Sequence, residues 1–131
     1  MLCRIVDIDP RTYDEWRRRG LISRFGDSDE LGEKEAAELA VVALLNKELR
    51  RPSDFDLVCS KLRGKLDESL LARQVTVVCH LADSQAELCF DDAQVGTAVS
   101  HGREVRAIRA EDEIRRVLRA LEARKPLPPQ K

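Results

Sequence analysis

The spacing of apolar residues changes at Val75, and this change divides the chain into two parts. Before Val75, apolar residues recur every three or four positions, which is the spacing of one face of an α-helix. From Val75 they recur at every second position, which is the spacing of one face of a β-strand. A chain that contains both patterns must combine helices with a small sheet, so the predicted fold class is α+β.

The N-terminal segment carries the signals of two short helices joined by a tight turn. The letters LCRIVDI fit one or two helical turns with Ile5 and Ile8 as apolar positions. Asp9 suits the N-cap of a second helix, and Pro10 suits its first residue. Gly20 is typical of the left-handed residue that ends a helix, so the second helix is predicted from Pro10 to Arg19.

Two longer helices are predicted next, which makes four helices before residue 72. The segment EKEAAELAVVALLNKELRR is apolar almost all round, which indicates a central helix covered on more than one side. Pro52 is expected to end it, and Ser53 to cap the following helix. The apolar residues of that helix fall on one stripe: Phe55, Val58, Cys59 and Leu62.

The C-terminal segment is predicted to form a ββαβα unit. Two strands flank the turn-like letters ADSQ, with Val75, Val77, Cys79 and Leu81 on one face of the first and Ala86, Leu88 and Phe90 on one face of the second. A short helix follows, capped by Asp91 or Asp92 and ended at Gly102, with Val95, Ala98 and Val99 directed inward.

A third strand in EVRAIR and a final amphipathic helix complete the predicted unit. The apolar stripe of the final helix is expected to pack on the sheet and consists of Ile114, Val117, Leu118 and Leu121. The predicted boundaries are therefore 1–72 for the helical domain and 74–124 for the second module. Residues 125–131, KPLPPQK, are predicted to form a mobile Pro-rich tail.

Composition favours a soluble globular protein. Of the 131 residues, 43% are hydrophobic and 36% are charged, and no apolar run approaches the roughly 20 residues that a membrane helix needs. Acidic residues stand in the N-terminal segment where a signal peptide has its apolar core. We therefore expect a cytoplasmic protein that has no membrane partner.

The cysteines are predicted to be free and buried rather than ligands or disulfide partners. Cys3, Cys59, Cys79 and Cys89 have no CxxC spacing and lie in apolar surroundings. The only cluster that resembles a set of metal ligands is Cys79, His80, Cys89 and His101, and its spacing matches no zinc pattern. The sequence predicts no metal and no cofactor. It also predicts no enzyme, because no acid, base and nucleophile are clustered at a motif spacing.

Charge is distributed unevenly along a chain whose net charge is −1. Basic residues are in excess in residues 1–25 and 110–131, whereas acidic residues are in excess in residues 26–59. A protein that binds nucleic acid through its whole surface is strongly basic, and this chain is not. A surface that binds a polyanion must therefore be local.

The second predicted helix is one such local surface. On a helical wheel Thr12, Tyr13 and Trp16 lie together with Arg17 at their edge, and the opposite face carries Arg11, Asp14, Glu15 and Arg18. Trp16 is therefore expected to be an anchor in the core. The outer face allows two interpretations, namely a solvated helix joined by ion pairs such as Asp14–Arg18 and Arg11–Glu15, or a helix that contacts DNA.

The order of these elements resembles the winged helix-turn-helix of the MerR family of bacterial regulators. The resemblance lies in VDIDPRTYDEWRRRGLIS, whereas the family stretch typically runs GVSPRTLRRWEREGLL. The letters PRT, the tryptophan and the RxGL ending match position by position. The resemblance covers residues 1 to about 72 and implies a DNA-binding domain whose short wing lies in LISRFGDSDELGE.

The resemblance also implies which side chains contact double-stranded DNA. Arg11, Thr12, Tyr13 and Arg18 are expected to contact the major groove. Arg17 and Arg19 are better placed for the phosphate backbone, and Arg24 in the wing for a flanking phosphate. The family dimerises through a coiled coil, whereas here the β-rich module would take that place and form a homodimer or bind a ligand or a protein partner.

Two functions are therefore predicted from the sequence. The first is a dimeric bacterial transcriptional regulator that binds two half-sites on DNA. The second is a protein-interaction module, antitoxin-like or adaptor-like, that uses a winged-helix scaffold with weak or no DNA binding. The second is favoured by the acidic residues of the predicted wing, Asp27, Asp29, Glu30 and Glu33, which phosphate would repel.

Overall fold

The computed structural model describes residues 2–22, 33–62, 72–100 and 104–123. Within these ranges the chain forms six helices and one three-stranded antiparallel sheet, which confirms the α+β class. The helices are α1 (Leu2–Val6), α2 (Pro10–Arg18), α3 (Glu33–Glu48), α4 (Pro52–Leu62), α5 (Asp92–Ser100) and α6 (Glu111–Ala123), and the strands are β1 (Thr76–His80), β2 (Gln85–Cys89) and β3 (Val105–Arg109).

Helix α2 begins and ends through the interactions that its sequence predicts. The Oδ1 atom of Asp9 accepts a hydrogen bond of 2.8 Å from the backbone N–H of Arg11, and Pro10 is the first helical residue. At the other end Gly20 has a φ of 75°, and the N–H of Leu21 donates to the carbonyl of Trp16. This is the pattern of a Schellman motif, which requires a left-handed residue at the position of Gly20.

The junction between α3 and α4 differs from the prediction. Helix α3 ends at Glu48, and Pro52 is the first residue of α4 rather than the residue that ends α3. Ser53 is not the N-cap, because the backbone carbonyl of Arg51 already accepts the first helical hydrogen bonds, from Asp54 and Phe55. Proline has no N–H to lose and a φ suited to a helix start, so it fits this first position.

The sheet has the order β2-β1-β3, with both outer strands antiparallel to β1. Val77 pairs with Leu88 on one side and with Ile108 on the other. The predicted hairpin and third strand are confirmed. Strand β1 is buried along its whole length, because helices cover both faces of the sheet. Val77 and Cys79 join the main core, whereas Val78 packs beneath α5.

Helix α5 packs on one face of the sheet, but one of its predicted core residues is exposed. Its N-cap is Asp91, whose Oδ1 accepts a 2.7 Å hydrogen bond from the N–H of Gln94. Ala98 is buried and Val95 packs beside it, as predicted. Val99 is 39% exposed, so the prediction that it points inward is wrong. It lies one helical step, about 100°, beyond Ala98 and turns away from the sheet.

Helix α6 packs mainly against α3 and also contacts α1, where the sequence predicts packing on the sheet. The sequence cannot identify this partner, because α3 is apolar on all sides and accepts several neighbours. One continuous apolar cluster includes Val6 of α1, Trp16 of α2, Val77 of β1 and Val117 of α6. The helical segment and the β-rich segment therefore contribute to the same core, and their division at residues 72–74 stays a prediction.

No helix among the described residues is both long enough and apolar enough to cross a bilayer.

Candidate nucleic-acid interface

The two faces of α2 are divided as the helical wheel predicts. Trp16 is buried, and Thr12, Tyr13 and Arg17 beside it are half-buried. The opposite face is exposed and carries Arg11, Asp14, Glu15 and Arg18. The division follows from the 3.6-residue period of the helix, because one apolar stripe must face the core.

Trp16 attaches α2 to α4. It is 3% exposed, and its ring centroid lies 5.6 Å from that of Phe55 with a tilt of 50° between the rings. Tilted aromatic pairs at this separation are a favoured arrangement. Arg19, just after the helix, forms an ion pair with Asp56 on the same partner helix. These contacts hold the C-terminal end of α2 against α4.

The exposed face of α2 mixes positive and negative groups. The Nη2 atom of Arg18 lies 2.5 Å from Oε2 of Glu15, and the arginine side chain is 73% exposed. The predicted pairs were four residues apart, whereas this pair is three apart. Such exposed pairs contribute little to stability, so Arg18 can leave the carboxylate of Glu15 and bind another anion. Among the described residues, Arg11 has no ion-pair partner, which leaves its guanidinium available to solvent.

The remaining predicted contact residues have different surroundings. The guanidinium of Arg17 lies 5.6 Å from the ring centroid of Tyr13, which is cation–π distance, and both residues lie on the flank of α2. Thr12 is half-buried on the same side. Arg19 is bound to Asp56, so it contributes positive charge only near α4. Arg24 and most of the predicted wing lie outside the described residues.

The turn that precedes α2 has an unusual backbone conformation. Asp7 has a φ of 64°, in the left-handed region that favours glycine. It stands three residues before Pro10, in the turn between α1 and α2. The N–H of Asp7 donates to the carbonyl of Arg4, which closes the turn directly after α1. Aspartate is among the non-glycine residues that tolerate this conformation best.

Sequence reasoning missed one residue that contacts this region, namely Arg116. The Nη2 atom of Arg116 on α6 donates a 3.0 Å hydrogen bond to the backbone carbonyl of Ile5, near the end of α1. The two residues are 111 positions apart, and the helical period of α6 indicates only that Arg116 faces outward. No local pattern in the sequence predicts this contact.

Two of the candidate metal ligands, Cys79 and Cys89, lie on opposite faces of the sheet. Cys79 faces the main core, whereas Cys89 lies on the opposite face of the sheet, under α5. Among the described residues no group of three or more His, Cys, Asp or Glu side chains is arranged to hold a metal ion. His101 lies outside the described residues.

A groove lies between β2 and α5 and has a volume of about 730 Å³. On its wall Nε2 of His80 lies 3.1 Å from Oε2 of Glu87, and the thiol of Cys89 donates to Oε1 of the same carboxylate at 3.7 Å. Burial raises the pKa of the Cys89 thiol, and the charge of Glu87 and this hydrogen bond raise it further. The thiol therefore stays protonated near neutral pH and is a poor nucleophile.

The other two described cysteines are also free and buried, as predicted. Burial raises the pKa of Cys59 to about 12 and that of Cys79 to about 11. Both thiols pack as small apolar groups in the core. The side chain of Cys3 lies outside what the structure describes.

The sequence matches no protein-family model and no curated protein.

Proposed function

We propose that this chain is a DNA-binding transcriptional regulator of the MerR-like winged-helix type, and that α2 is its recognition helix. The observation that carries the proposal is the orientation of α2. Trp16 is buried against α4, so Arg11 and Arg18 project from the exposed face of a short helix.

The arginines on the exposed face of α2 suit the binding of double-stranded DNA. Arginine recognises guanine through two parallel hydrogen bonds and also pairs with phosphate. Arg11 and Arg18 would contact bases or phosphates at the centre of the groove, with Thr12 and Tyr13 beside them. Arg17 and Arg19 would lie nearer the phosphate backbone of the DNA, together with Arg24. The protein would bind as a homodimer to two half-sites, in the cytoplasm of a bacterium.

The first test is selection of the purified protein against a random duplex DNA library, followed by binding measurements at two salt concentrations. We expect an enriched motif with two-fold symmetry and an affinity that falls steeply with salt. The double variant Arg11→Ala, Arg18→Ala should lose most of this specific binding. Arg119→Ala, which also removes an exposed arginine but from α6, is the control outside α2. Equal losses in both variants would contradict the role of α2.

A protein-interaction module is the second candidate, and the charge of the α2 face favours it. Asp14 and Glu15 lie beside Arg11 and Arg18 on the exposed surface, and Glu15 already pairs with Arg18. A face of mixed sign attracts polyanions weakly and suits a protein partner with complementary charges. In the selection experiment this candidate predicts no enriched motif and only weak binding at low salt.

A further inference from the structure

One side chain of helix α6, that of Arg116, forms a hydrogen bond to the C-terminal part of α1. Its Nη2 atom donates to the Ile5 carbonyl at 3.0 Å. Glu113, one turn earlier, orients the guanidinium through contacts of 2.6 Å to Nη2 and 3.1 Å to Nε. The Ile5 contact is partly buried, so the hydrogen bond is shielded from competing water.

The position of this contact matters because α1 is very short. Helix α1 has five residues, and the last four carbonyls of any helix have no partner within the helix. A helix of this length has little stability of its own and depends on tertiary contacts. A guanidinium at the C-terminal end donates a hydrogen bond to one of those carbonyls. Its positive charge also interacts favourably with the negative end of the helix dipole.

The same contact lies next to the backbone that sets the direction of α2. Asp7 follows α1 at once and adopts the left-handed conformation with a φ of 64°. Only Asp7, Ile8 and Asp9 separate α1 from α2. A shift at the end of α1 is therefore transmitted to the start of α2 through three residues.

We propose that Arg116 is a positioning residue: it fixes the end of α1 and the turn after it, and so sets how α2 presents Arg11 and Arg18. The inference rests on the proposed DNA-binding function, and it makes the C-terminal helix part of the DNA-reading unit. Arg116 acts through the backbone of α1 and does not itself contact DNA.

The test compares Arg116→Gln with Arg119→Gln in the full chain. Both substitutions remove one positive charge from α6, and Arg119 is exposed without an ion-pair partner among the described residues. Hydrogen exchange is followed in residues 2–20 and, as an internal reference, in the strands of residues 76–89. Affinity for the selected duplex and its dependence on salt are measured in parallel. Arg116→Lys, which keeps the charge but not the forked geometry, is a second variant.

We expect Arg116→Gln to speed exchange in residues 2–20 about tenfold and to leave residues 76–89 unchanged, since one charge-assisted hydrogen bond is lost locally. Specific affinity should fall about tenfold with an unchanged salt slope, because no phosphate contact is removed. Arg119→Gln should match the wild type in exchange and affinity, and Arg116→Lys should lie between the two.

Three results would overturn the inference. Exchange in residues 2–20 that stays at the wild-type rate would show that Arg116 does not hold the turn. Exchange that rises equally in residues 76–89 would show a general loss of stability instead. A salt slope lowered by about one would mean that Arg116 contacts phosphate directly. If the wild-type protein binds no DNA, the proposed function fails separately, and the exchange rates still decide whether Arg116 holds the turn.

Discussion

Two segments of this chain have the same local pattern but different surroundings. In Glu15–Arg18 of α2 and in Glu113–Arg116 of α6, a glutamate precedes one apolar residue and two arginines. In both, the apolar residue is 3% exposed and the last arginine pairs with the glutamate, at 2.5 Å in α2 and 2.6 Å in α6. We call these two segments the tetrads.

The tetrads differ in what their last arginine contacts next. Arg18 is 73% exposed and ends in solvent, whereas Arg116 continues to the carbonyl of Ile5 in another helix. The two tetrads therefore share the same buried face and the same ion pair three residues apart. The neighbouring elements determine whether the arginine is available to a ligand or belongs to the scaffold.

The largest expected effect tests the shared part of the pattern, the buried apolar residue. Trp16→Ala should lower the free energy of unfolding by about 3–5 kcal/mol, and Ile114→Ala by about 2–5 kcal/mol, because each leaves a cavity in the common core. Chemical denaturation measures both. A loss below about 1 kcal/mol at either site would show that its tetrad is not anchored in the core as described.

The next effect concerns the turn between α1 and α2. Arg116 contacts the helix before this turn, and Arg18 lies on the helix after it. Asp7→Val should destabilise the protein by about 1–2 kcal/mol, because a β-branched residue is strained at a φ of 64°. Asp7→Gly should be neutral or stabilising, since glycine adopts this conformation freely. Thermal unfolding of the two variants is the measurement, and equal melting temperatures would contradict the assigned backbone conformation.

A third prediction separates the two arginines by function. Arg18→Ala should reduce specific DNA affinity about tenfold and change the free energy of unfolding by less than about 0.5 kcal/mol, because its ion pair is exposed. Titration of a labelled duplex and thermal unfolding give the two quantities. A fall in melting temperature as large as that of Trp16→Ala would mean that Arg18 is structural, and the contrast between the tetrads would disappear.

The smallest expected effect is a pH dependence in the α6 tetrad. The hydrogen bond from Arg116 holds the pKa of Glu113 below its ordinary value of 4.5, against the opposing effect of burial. A lowered folded-state pKa means that the pair stabilises the protein above about pH 4.5, and that this contribution is lost as pH falls through the lowered value.

Thermal unfolding between pH 7 and pH 3 measures this contribution. Glu113→Gln should flatten the acid side of the profile by at most about 1 kcal/mol, because the pair is partly exposed. An identical pH profile for this variant and the wild type would show that the pair does not stabilise the fold.

Much of the local structure follows from the sequence. Asp9, Pro10 and Gly20 mark the ends of α2, and the wheel of that helix predicts its buried and exposed sides. The alternation after Val75 predicts the hairpin, because strand and helix periods differ. The errors lie at Val99, which lies one helical step beyond the buried Ala98 and turns away from the sheet, and at Ser53, because the carbonyl of Arg51 accepts the first hydrogen bonds of α4.

The sequence by itself determined the elements and their faces, because these depend on residues within one or two turns of each other, whereas it predicted pairs four residues apart on α2 where the structure pairs Glu15 with Arg18. Only the tertiary structure decided that α6 packs against α3 and α1, and that Arg116 reaches Ile5 while Arg18 stays in solvent. The physical reason is that a buried apolar stripe accepts any complementary surface, so periodicity predicts that a face is covered but not by which element.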